Sequence, residues 1–232
     1  MTTWKDFYEN YDNWAESTIL SRISSLQDIG PSAEVIDCAN CISEQVAEKI
    51  VRKAISMGMT FTPNDIFELN GMVSESLAKE ILERYMKTGK PISVTEIQNL
   101  DALVPQESID MTVLYDMQIG LRFTPKQIIE LDGYVSEAVL TEALRRSNTK
   151  VSRDELEELD GIVDEKLLRK IDKKQKTHVF DDYDDWDEYD DSYDYADTSG
   201  KKPGLLSQLG ALYVASEIDK RIFGDKDKKK KK

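Results

Sequence analysis

The sequence contains very little histidine and cysteine, the residues on which many catalytic and metal sites depend. Its 232 residues include one histidine, His178, and two cysteines. A single histidine excludes histidine-rich metal sites and most histidine-based catalysis. Two cysteines cannot form a disulfide framework, so we expect a reducing compartment. The first fourteen residues are polar and aromatic rather than basic and then apolar, and we expect a cytoplasmic protein.

Motifs that hold nucleotides or activate a nucleophile are also missing from the sequence. There is no G-x-S-x-G elbow, no G-x-G-x-x-G loop and no Walker loop. Acyl transfer and nucleotide binding therefore have no motif support, and we predict no catalytic residue, cofactor or metal site. The charge of −14, from 31 basic and 45 acidic residues, argues against direct nucleic-acid binding by the folded part of the chain.

Charge divides the chain into segments of different character. Residues 1–172 carry 18 basic and 31 acidic residues, 179–200 carry ten acidic and no basic ones, and 201–232 carry ten basic and four acidic ones. The acidic stretch holds aromatic residues but no aliphatic stripe to bury, so we expect disorder there. The predicted organisation follows from this division and from the repeat described next. It comprises an N-terminal helical cap at 1–29, a repeat array at 30–175, an acidic linker at 176–200 and a short apolar helix with a basic tail at 201–232.

An internal repeat is the strongest signal in the sequence. The stretch Phe61-Thr-Pro-Asn-Asp-Ile-Phe-Glu-Leu-Asn-Gly recurs 62 residues later as Phe123-Thr-Pro-Lys-Gln-Ile-Ile-Glu-Leu-Asp-Gly. An intermediate copy lies 31 residues from each, and weaker copies precede and follow them, the last after 28 residues. Five copies at a nearly constant spacing indicate a repeat architecture.

Each copy reads as a hairpin of a short and a long helix. The short helix begins at a Ser or Thr that has an acid or amide three residues later, which is the pattern of a capping box. It ends at an Asx-Gly pair, where glycine can adopt the left-handed conformation. A second cap is predicted at Ser43, Ser74, Ser136 or Asp164, and an apolar i, i+1, i+4, i+5 stripe follows it. One hairpin cannot bury both faces, so we predict an all-α fold in which about five hairpins stack as an α-solenoid.

Two readings apply to the aromatic residues ahead of the array. Trp4, Phe7, Tyr8 and Tyr11 lie at helical spacing and precede a second apolar stripe that begins at Ile19. They fit an N-terminal cap that covers the open face of the first hairpin, or alternatively a partner site.

Three short stretches of the sequence resemble bacterial helical-repeat proteins that have no assigned activity. The stretches concerned are Asn13-Trp14-Ala15-Glu16-Ser17, Arg22-Ile23-Ser24-Ser25-Leu26 and Arg52-Lys53-Ala54, in about the first third of the chain. This resemblance implies a helical repeat and no activity. The architecture is also similar to tetratricopeptide and HEAT arrays, although the 31-residue period differs from theirs.

A Cys-x-x-Cys motif is formed by Cys38 and Cys41. A redox pair of this kind normally lies near a βαβ unit, and the sequence shows none. A structural zinc site needs about four ligands, and the sequence offers no second pair. In the repeat, Cys38 shares a position with Leu69 and Cys41 shares one with Met72. We therefore expect both cysteines to be core residues. The recurring carboxylates at Asp101, Asp132 and Asp160 are expected to stabilise turns rather than hold metal.

The third hairpin departs from the pattern of its neighbours. Pro105 replaces the serine cap, Ala102 replaces the turn glycine, and polar Ser108 replaces an apolar residue. Its long helix has a shifted apolar set, which we interpret as a partner surface: Met111, Leu114, Tyr115 and Met117. Alternatively, this helix rotates so that it buries the shifted stripe.

The tail offers two further candidate binding segments. Aromatic residues at three-residue spacing fit a linear motif for a basic surface, or else a solvating spacer: Phe180, Tyr183, Trp186 and Tyr189. Segment 201–232 fits membrane-surface attachment, docking in a protein groove, or a solubilising tail.

Together these features favour a non-enzymatic scaffold that binds a protein or peptide partner. One alternative is an acidic decoy that occupies the basic groove of a nucleic-acid-binding protein. Another is a peripheral membrane adaptor that acts through residues 201–232.

Overall fold

The computed structural model describes residues 2–178, and the side chains of residues 2–175. This part of the chain contains α-helices, one short 3-10 helix at Tyr11–Asn13 and two isolated β-bridges, but no strand. The predicted all-α class is therefore confirmed for the described residues. The expectations for the linker and for segment 201–232 fall on residues outside them.

Two compact units divide the chain between Lys150 and Val151. The first unit contains the N-terminal helices and four hairpins: α1 Trp4–Tyr8, α2 Glu16–Ser25, α3 Ser32–Asn40, α4 Glu44–Ser56, α5 Pro63–Glu68, α6 Glu75–Met86, α7 Val94–Asn99, α8 Gln106–Gln118, α9 Pro125–Glu130 and α10 Glu137–Arg146. The described part of the second unit contains the fifth hairpin: α11 Arg153–Glu158 and α12 Glu165–His178.

The predicted capping boxes begin four of the short helices. In α5 the Thr62 hydroxyl accepts the Asp65 N–H at 3.2 Å, and the Asp65 carboxylate accepts the Thr62 N–H at 2.7 Å. The same reciprocal pair forms at Ser93, Thr124 and Ser152. These bonds satisfy N–H groups that have no partner within the helix, which explains why helices of six residues persist here.

Of the predicted caps of the long helices, Asp164 is confirmed, since its carboxylate accepts the Lys166 N–H at 2.6 Å, but the serine hydroxyl caps are wrong. Ser43, Ser74 and Ser136 occupy the predicted N-cap positions, but none of their hydroxyls accepts a backbone N–H of the helix. Other partners engage two of these hydroxyls instead. Ser43 donates to Glu16 Oε1 at 2.6 Å, and the Ser74 hydroxyl lies 3.1 Å from that of Ser76.

The turns inside the hairpins adopt the predicted left-handed backbone. Gly71, Gly133 and Gly161 have φ values of 77°, 80° and 84°. In the third hairpin Ala102 has a φ of 59°, the one positive φ of a non-glycine residue in the described part. This turn therefore keeps the repeat geometry without the residue best suited to it.

Neighbouring elements within residues 2–150 pack side by side. α2 contacts α4, α3 contacts α5, α5 contacts α7, α6 contacts α8, and α8 contacts α10. The first hairpin thus touches the second, the second touches the third and the third touches the fourth, as the repeat predicts. The α-solenoid of about five hairpins stays a prediction.

Candidate functional site

The N-terminal aromatic residues pack as the cap interpretation requires. Trp4 and Phe7 are buried and their rings stack with centroids 5.6 Å apart. The Trp4 indole N–H donates to Glu34 of α3 at 2.5 Å, and the Tyr8 hydroxyl donates to Asp37 at 2.7 Å. These bonds join the N-terminal segment to the first hairpin, so the buried rings are not a free partner site.

The Cys-x-x-Cys pair lies at the end of α3, and its two thiols differ in environment. Cys38 is fully buried as predicted, whereas Cys41 is exposed, so the prediction that Cys41 is a core residue is wrong. The repeat explains the error, because Met72, which occupies the same position in the next hairpin, is itself only half-buried. Burial, helped by Cys41 and Asp37, raises the pKa of Cys38 to about 12. A thiol that holds its proton this firmly is a poor nucleophile.

The interpretation of the third hairpin as an apolar partner surface is wrong for two of its four residues. Tyr115 and Met117 are buried, and Met111 and Leu114 are half-buried. The Tyr115 hydroxyl donates to the Lys90 carbonyl at 2.9 Å, which fixes the ring inside the fold. The alternative, a helix that buries the shifted stripe, agrees with this burial.

Burying that stripe places a line of polar side chains inside the fold. Ser108, Thr112 and Asp116 lie at i, i+4 and i+8 of α8, and all three are buried. The equivalent positions of α6 hold Leu77, Ile81 and Tyr85. We call Ser108, Thr112 and Asp116 the polar seam. Ser108 was identified from the sequence, whereas Thr112 and Asp116 were missed, although they continue its four-residue spacing.

Asp116 is the most unusual member of the polar seam. Its two carboxyl oxygens lie 3.1 and 3.3 Å from the backbone nitrogen of Ile92, which donates to them. Burial raises the pKa of Asp116 to about 7, against the lowering effect of the Ile92 N–H, and nearby Glu96 adds to the rise. The carboxyl is fully buried, so it cannot reach a substrate.

Ion pairs cluster on the outer faces of the long helices. Arg52 of α4 bonds Glu48 at 2.7 Å and reaches Glu80 of α6 at 3.2 Å, and Arg84 bonds Glu80 at 3.1 Å. On α10, Glu142 pairs with both Arg145 and Arg146. These faces are therefore close to locally neutral.

The turns inside the hairpins carry carboxylates that have no such partners. Equivalent helices of successive hairpins are in contact within residues 2–150, and from these contacts we infer that the turns follow one another along one edge. The Gln106 side chain of the third hairpin donates to the Tyr134 carbonyl in the fourth turn at 2.6 Å, so these two turns are adjacent. The side chains of the exposed acids on this edge make no ion pair or hydrogen bond within the described part, and we call them the acidic edge: Glu44, Glu75, Asp101, Glu107, Asp132 and Glu137.

Apolar side chains lie among these carboxylates at the repeat spacing. Met72, Leu103 and Tyr134 occupy equivalent positions in the second, third and fourth turns, and each is half-buried. Phe67 lies near the C-terminal end of α5, just ahead of the turn between α5 and α6. It is 48% exposed and is the one exposed large apolar residue of the described part. The edge therefore combines unpaired negative charge with accessible apolar surface.

An open cleft of about 550 Å³ lies beside α2, and its chemical character differs from that of the acidic edge. It is lined by Thr2, Ser17, Thr18, Ser21 and Arg22. The Arg22 guanidinium lies 4.1 Å from the centre of the Trp14 ring, a cation–π contact. Hydroxyls and one guanidinium suit a small anion rather than a basic partner.

Other predicted sites are not brought together by the described residues. Residues 2–178 contain no group of three or more potential metal ligands among His, Cys, Asp and Glu, and no helix long and apolar enough to cross a membrane. Phe180, Tyr183, Trp186 and Tyr189 lie outside the described residues.

Comparisons with known proteins add no identity to this picture. No protein-family model, no curated protein and no solved structure matches the chain.

Proposed function

We propose that this protein is a non-enzymatic scaffold that binds a basic, apolar-containing segment of a protein partner along the acidic edge. The observation that carries the proposal is the pairing of unpartnered carboxylates with accessible apolar side chains at the repeat spacing. Lysine and arginine of a partner would meet carboxylates that have no competing cation in the described part. An apolar side chain of the same segment would contact Phe67, Met72 or Leu103.

The contrast between the two surfaces supports this assignment. The long-helix faces hold their charge in pairs such as Arg52 and Glu80, so an incoming cation would have to displace an existing one. The carboxylates of the acidic edge need no such exchange. Solvent-exposed charge contacts contribute only about 0.2–1 kcal/mol each, so affinity has to come from several of them together with apolar burial.

The acidic-decoy function is the second candidate, and the same carboxylates favour it. A decoy would depend on carboxylates alone, because a groove that binds a phosphate backbone recognises charge. A scaffold would depend on the apolar residues as well. The proposed adaptor role of residues 201–232 lies outside the described residues and stays a prediction.

Selection of binding peptides from a random 12-residue display library tests the scaffold function. We expect the full chain to enrich sequences that combine Lys or Arg with large apolar residues. A triple variant, Glu75→Gln, Glu107→Gln and Glu137→Gln, should lose this enrichment. The matched control, Glu48→Gln, Glu80→Gln and Glu142→Gln, removes equal charge from the paired face and should keep it. Enrichment of purely basic peptides would favour the decoy, and no enrichment would contradict both functions.

A further inference from the structure

The polar seam of α8 is a weakness in the core of the third hairpin. Thr112 donates to the Ile109 carbonyl at 2.7 Å, but the buried Ser108 hydroxyl has no hydrogen-bond partner in the described part. The Asp116 carboxyl has one backbone donor, Ile92, and no ion pair. A buried carboxylate with so few partners is poorly compensated for the water it has lost.

The surroundings of Asp116 supply no positive charge to make up for this. Glu96 on α7 adds repulsion, and Asp116 in turn raises the pKa of Tyr85 on α6. On α8 itself Tyr115 is the neighbouring titratable group, and its hydroxyl points to the Lys90 carbonyl. No charged group of α10 acts on Asp116. The one charged group that acts on the carboxyl, Glu96, therefore opposes its ionisation, and burial acts in the same direction.

We propose that Asp116 is a proton-controlled latch on the third hairpin: while its carboxyl is protonated α8 stays packed, and ionisation makes local opening of α8 more frequent. Ile92 lies two residues before α7, next to its N-cap Ser93, so the carboxyl joins the end of α8 to the start of its own hairpin partner. Opening of α8 also removes Asp110 and Gln106 from the fourth hairpin, which they contact at Ser136 and Tyr134. This inference does not depend on the proposed function.

The direction of the pH dependence follows from the two states of the carboxyl. An unperturbed aspartate has a pKa of about 3.9, whereas the pKa of folded Asp116 is raised to about 7. The packed state therefore binds the proton more tightly than the opened state between these values. The contribution of the Asp116 carboxyl to the stability of the packed state is fully present below about pH 4 and is lost as pH rises through about 7.

Hydrogen exchange of the full chain measured by mass spectrometry at pH 5 and pH 8 tests the latch. Protection factors, corrected for intrinsic exchange, are compared between peptides from α8 and from α4. We expect protection of α8 to fall at least tenfold more than that of α4 between the two pH values. Asp116→Asn, which keeps the shape and an acceptor for Ile92, should remove the difference, while the control Asp110→Asn should keep it.

Equal pH dependence in α8 and α4 would overturn the proposal, as would a difference that persists in Asp116→Asn. If that variant fails to fold, carbon-13 NMR of the wild-type Asp116 carboxyl decides the matter. We expect its titration midpoint near pH 7, and a midpoint near 4 would show that no latch exists.

Discussion

The carboxylate of Asp110 on α8 accepts the backbone N–H of Ser136, directly before α10, at 2.9 Å. The Ser136 side chain makes no capping bond of its own, and the acceptor for the Ser136 N–H comes from the neighbouring hairpin. The two hairpins are therefore joined by a charge-assisted hydrogen bond, a class that is stronger than a neutral one.

Removal of this link should weaken the contact between the third and fourth hairpins. Asp110→Ala leaves the Ser136 N–H without its acceptor, and we expect a loss of about 1–2 kcal/mol in the free energy of unfolding. Chemical denaturation followed by circular dichroism measures this loss. Glu107→Ala, an exposed site one turn earlier on α8, is the control and should change stability by less than about 0.5 kcal/mol. Equal effects of the two substitutions would contradict the role of Asp110.

Ala102 and Gly133 occupy the same turn position in consecutive hairpins and provide a matched pair of substitutions. Ala102 holds a left-handed backbone that costs a non-glycine residue about 1–2 kcal/mol. Replacing it with glycine relieves this strain, but the greater conformational entropy of glycine in the unfolded chain offsets part of the gain in stability. We expect Ala102→Gly to stabilise the protein by about 0.5 kcal/mol. Gly133→Ala should destabilise it by about 1 kcal/mol, through backbone strain alone, since no atom lies within 4 Å of the added Cβ. Thermal unfolding that shows the same sign for both changes would be inconsistent with this account.

The fold could be predicted largely because the information needed is local and repeated. Thr62 and Asp65 lie three residues apart, and their capping box depends on nothing outside α5, so the sequence pattern identified it. The Asp110–Ser136 bond joins residues 26 positions apart and has no local signature. The serine caps were predicted wrongly for the same reason, because the competing partner of Ser43 is the distant Glu16.

The candidate sites were harder to predict because burial depends on how a helix is rotated about its axis. Tyr115 and Met117 are apolar but do not lie at the apolar positions of the other long helices. This pattern is equally consistent with an exposed apolar surface and with a helix rotated so that these residues are buried. Ser108 was noted in the sequence as a single departure, whereas Thr112 and Asp116, which complete the polar face of α8, were not recognised. Only the packing of α8 against α6, α7 and α10 shows that this polar face is the buried one.

The N-terminal cap should depend on the absence of a side chain at Gly30. A Cβ at this position would lie 1.9 Å from the Trp4 indole nitrogen, so Gly30→Ala must displace the ring and break its bond to Glu34. We expect a loss of about 2 kcal/mol in the free energy of unfolding and a shifted Trp4 indole N–H signal in NMR. In a Trp4→Phe background the same substitution should have a smaller effect, because the clashing nitrogen is gone. A Gly30→Ala variant with unchanged stability and spectrum would show that the ring is not held there.

The two cysteines should differ sharply in reactivity toward alkylating reagents. With a pKa of about 12, Cys38 exists at pH 8 almost entirely as the unreactive thiol, and it is buried, whereas Cys41 is exposed. We expect iodoacetamide to modify the native chain once, at Cys41, as read by mass spectrometry. Cys41→Ser should leave the native chain unmodified and the denatured chain modified once. Rapid modification of Cys38 in the native Cys41→Ser variant would contradict the buried, protonated thiol.

The apolar part of the proposed interface can be tested separately from its charge. Phe67→Ser removes an exposed ring from α5 without opening the core, so stability should change by less than about 0.5 kcal/mol. Binding of a selected basic, apolar-containing peptide should nevertheless weaken about tenfold, equivalent to about 1.4 kcal/mol. Isothermal titration calorimetry at fixed salt concentration measures the affinity of the peptide for the variant and for the wild type. Unchanged affinity would remove Phe67 from the interface and favour the charge-only decoy.

The most direct test of the scaffold account is an NMR map of where such a peptide binds. Amide signals of the isotope-labelled full chain are followed while the unlabelled peptide is added. The account predicts that shifts concentrate at the acidic edge, around Glu75, Asp101 and Asp132, with small shifts at Arg52 and Arg84 on the paired face. Shifts centred on the paired face, or spread evenly over both surfaces, would contradict it.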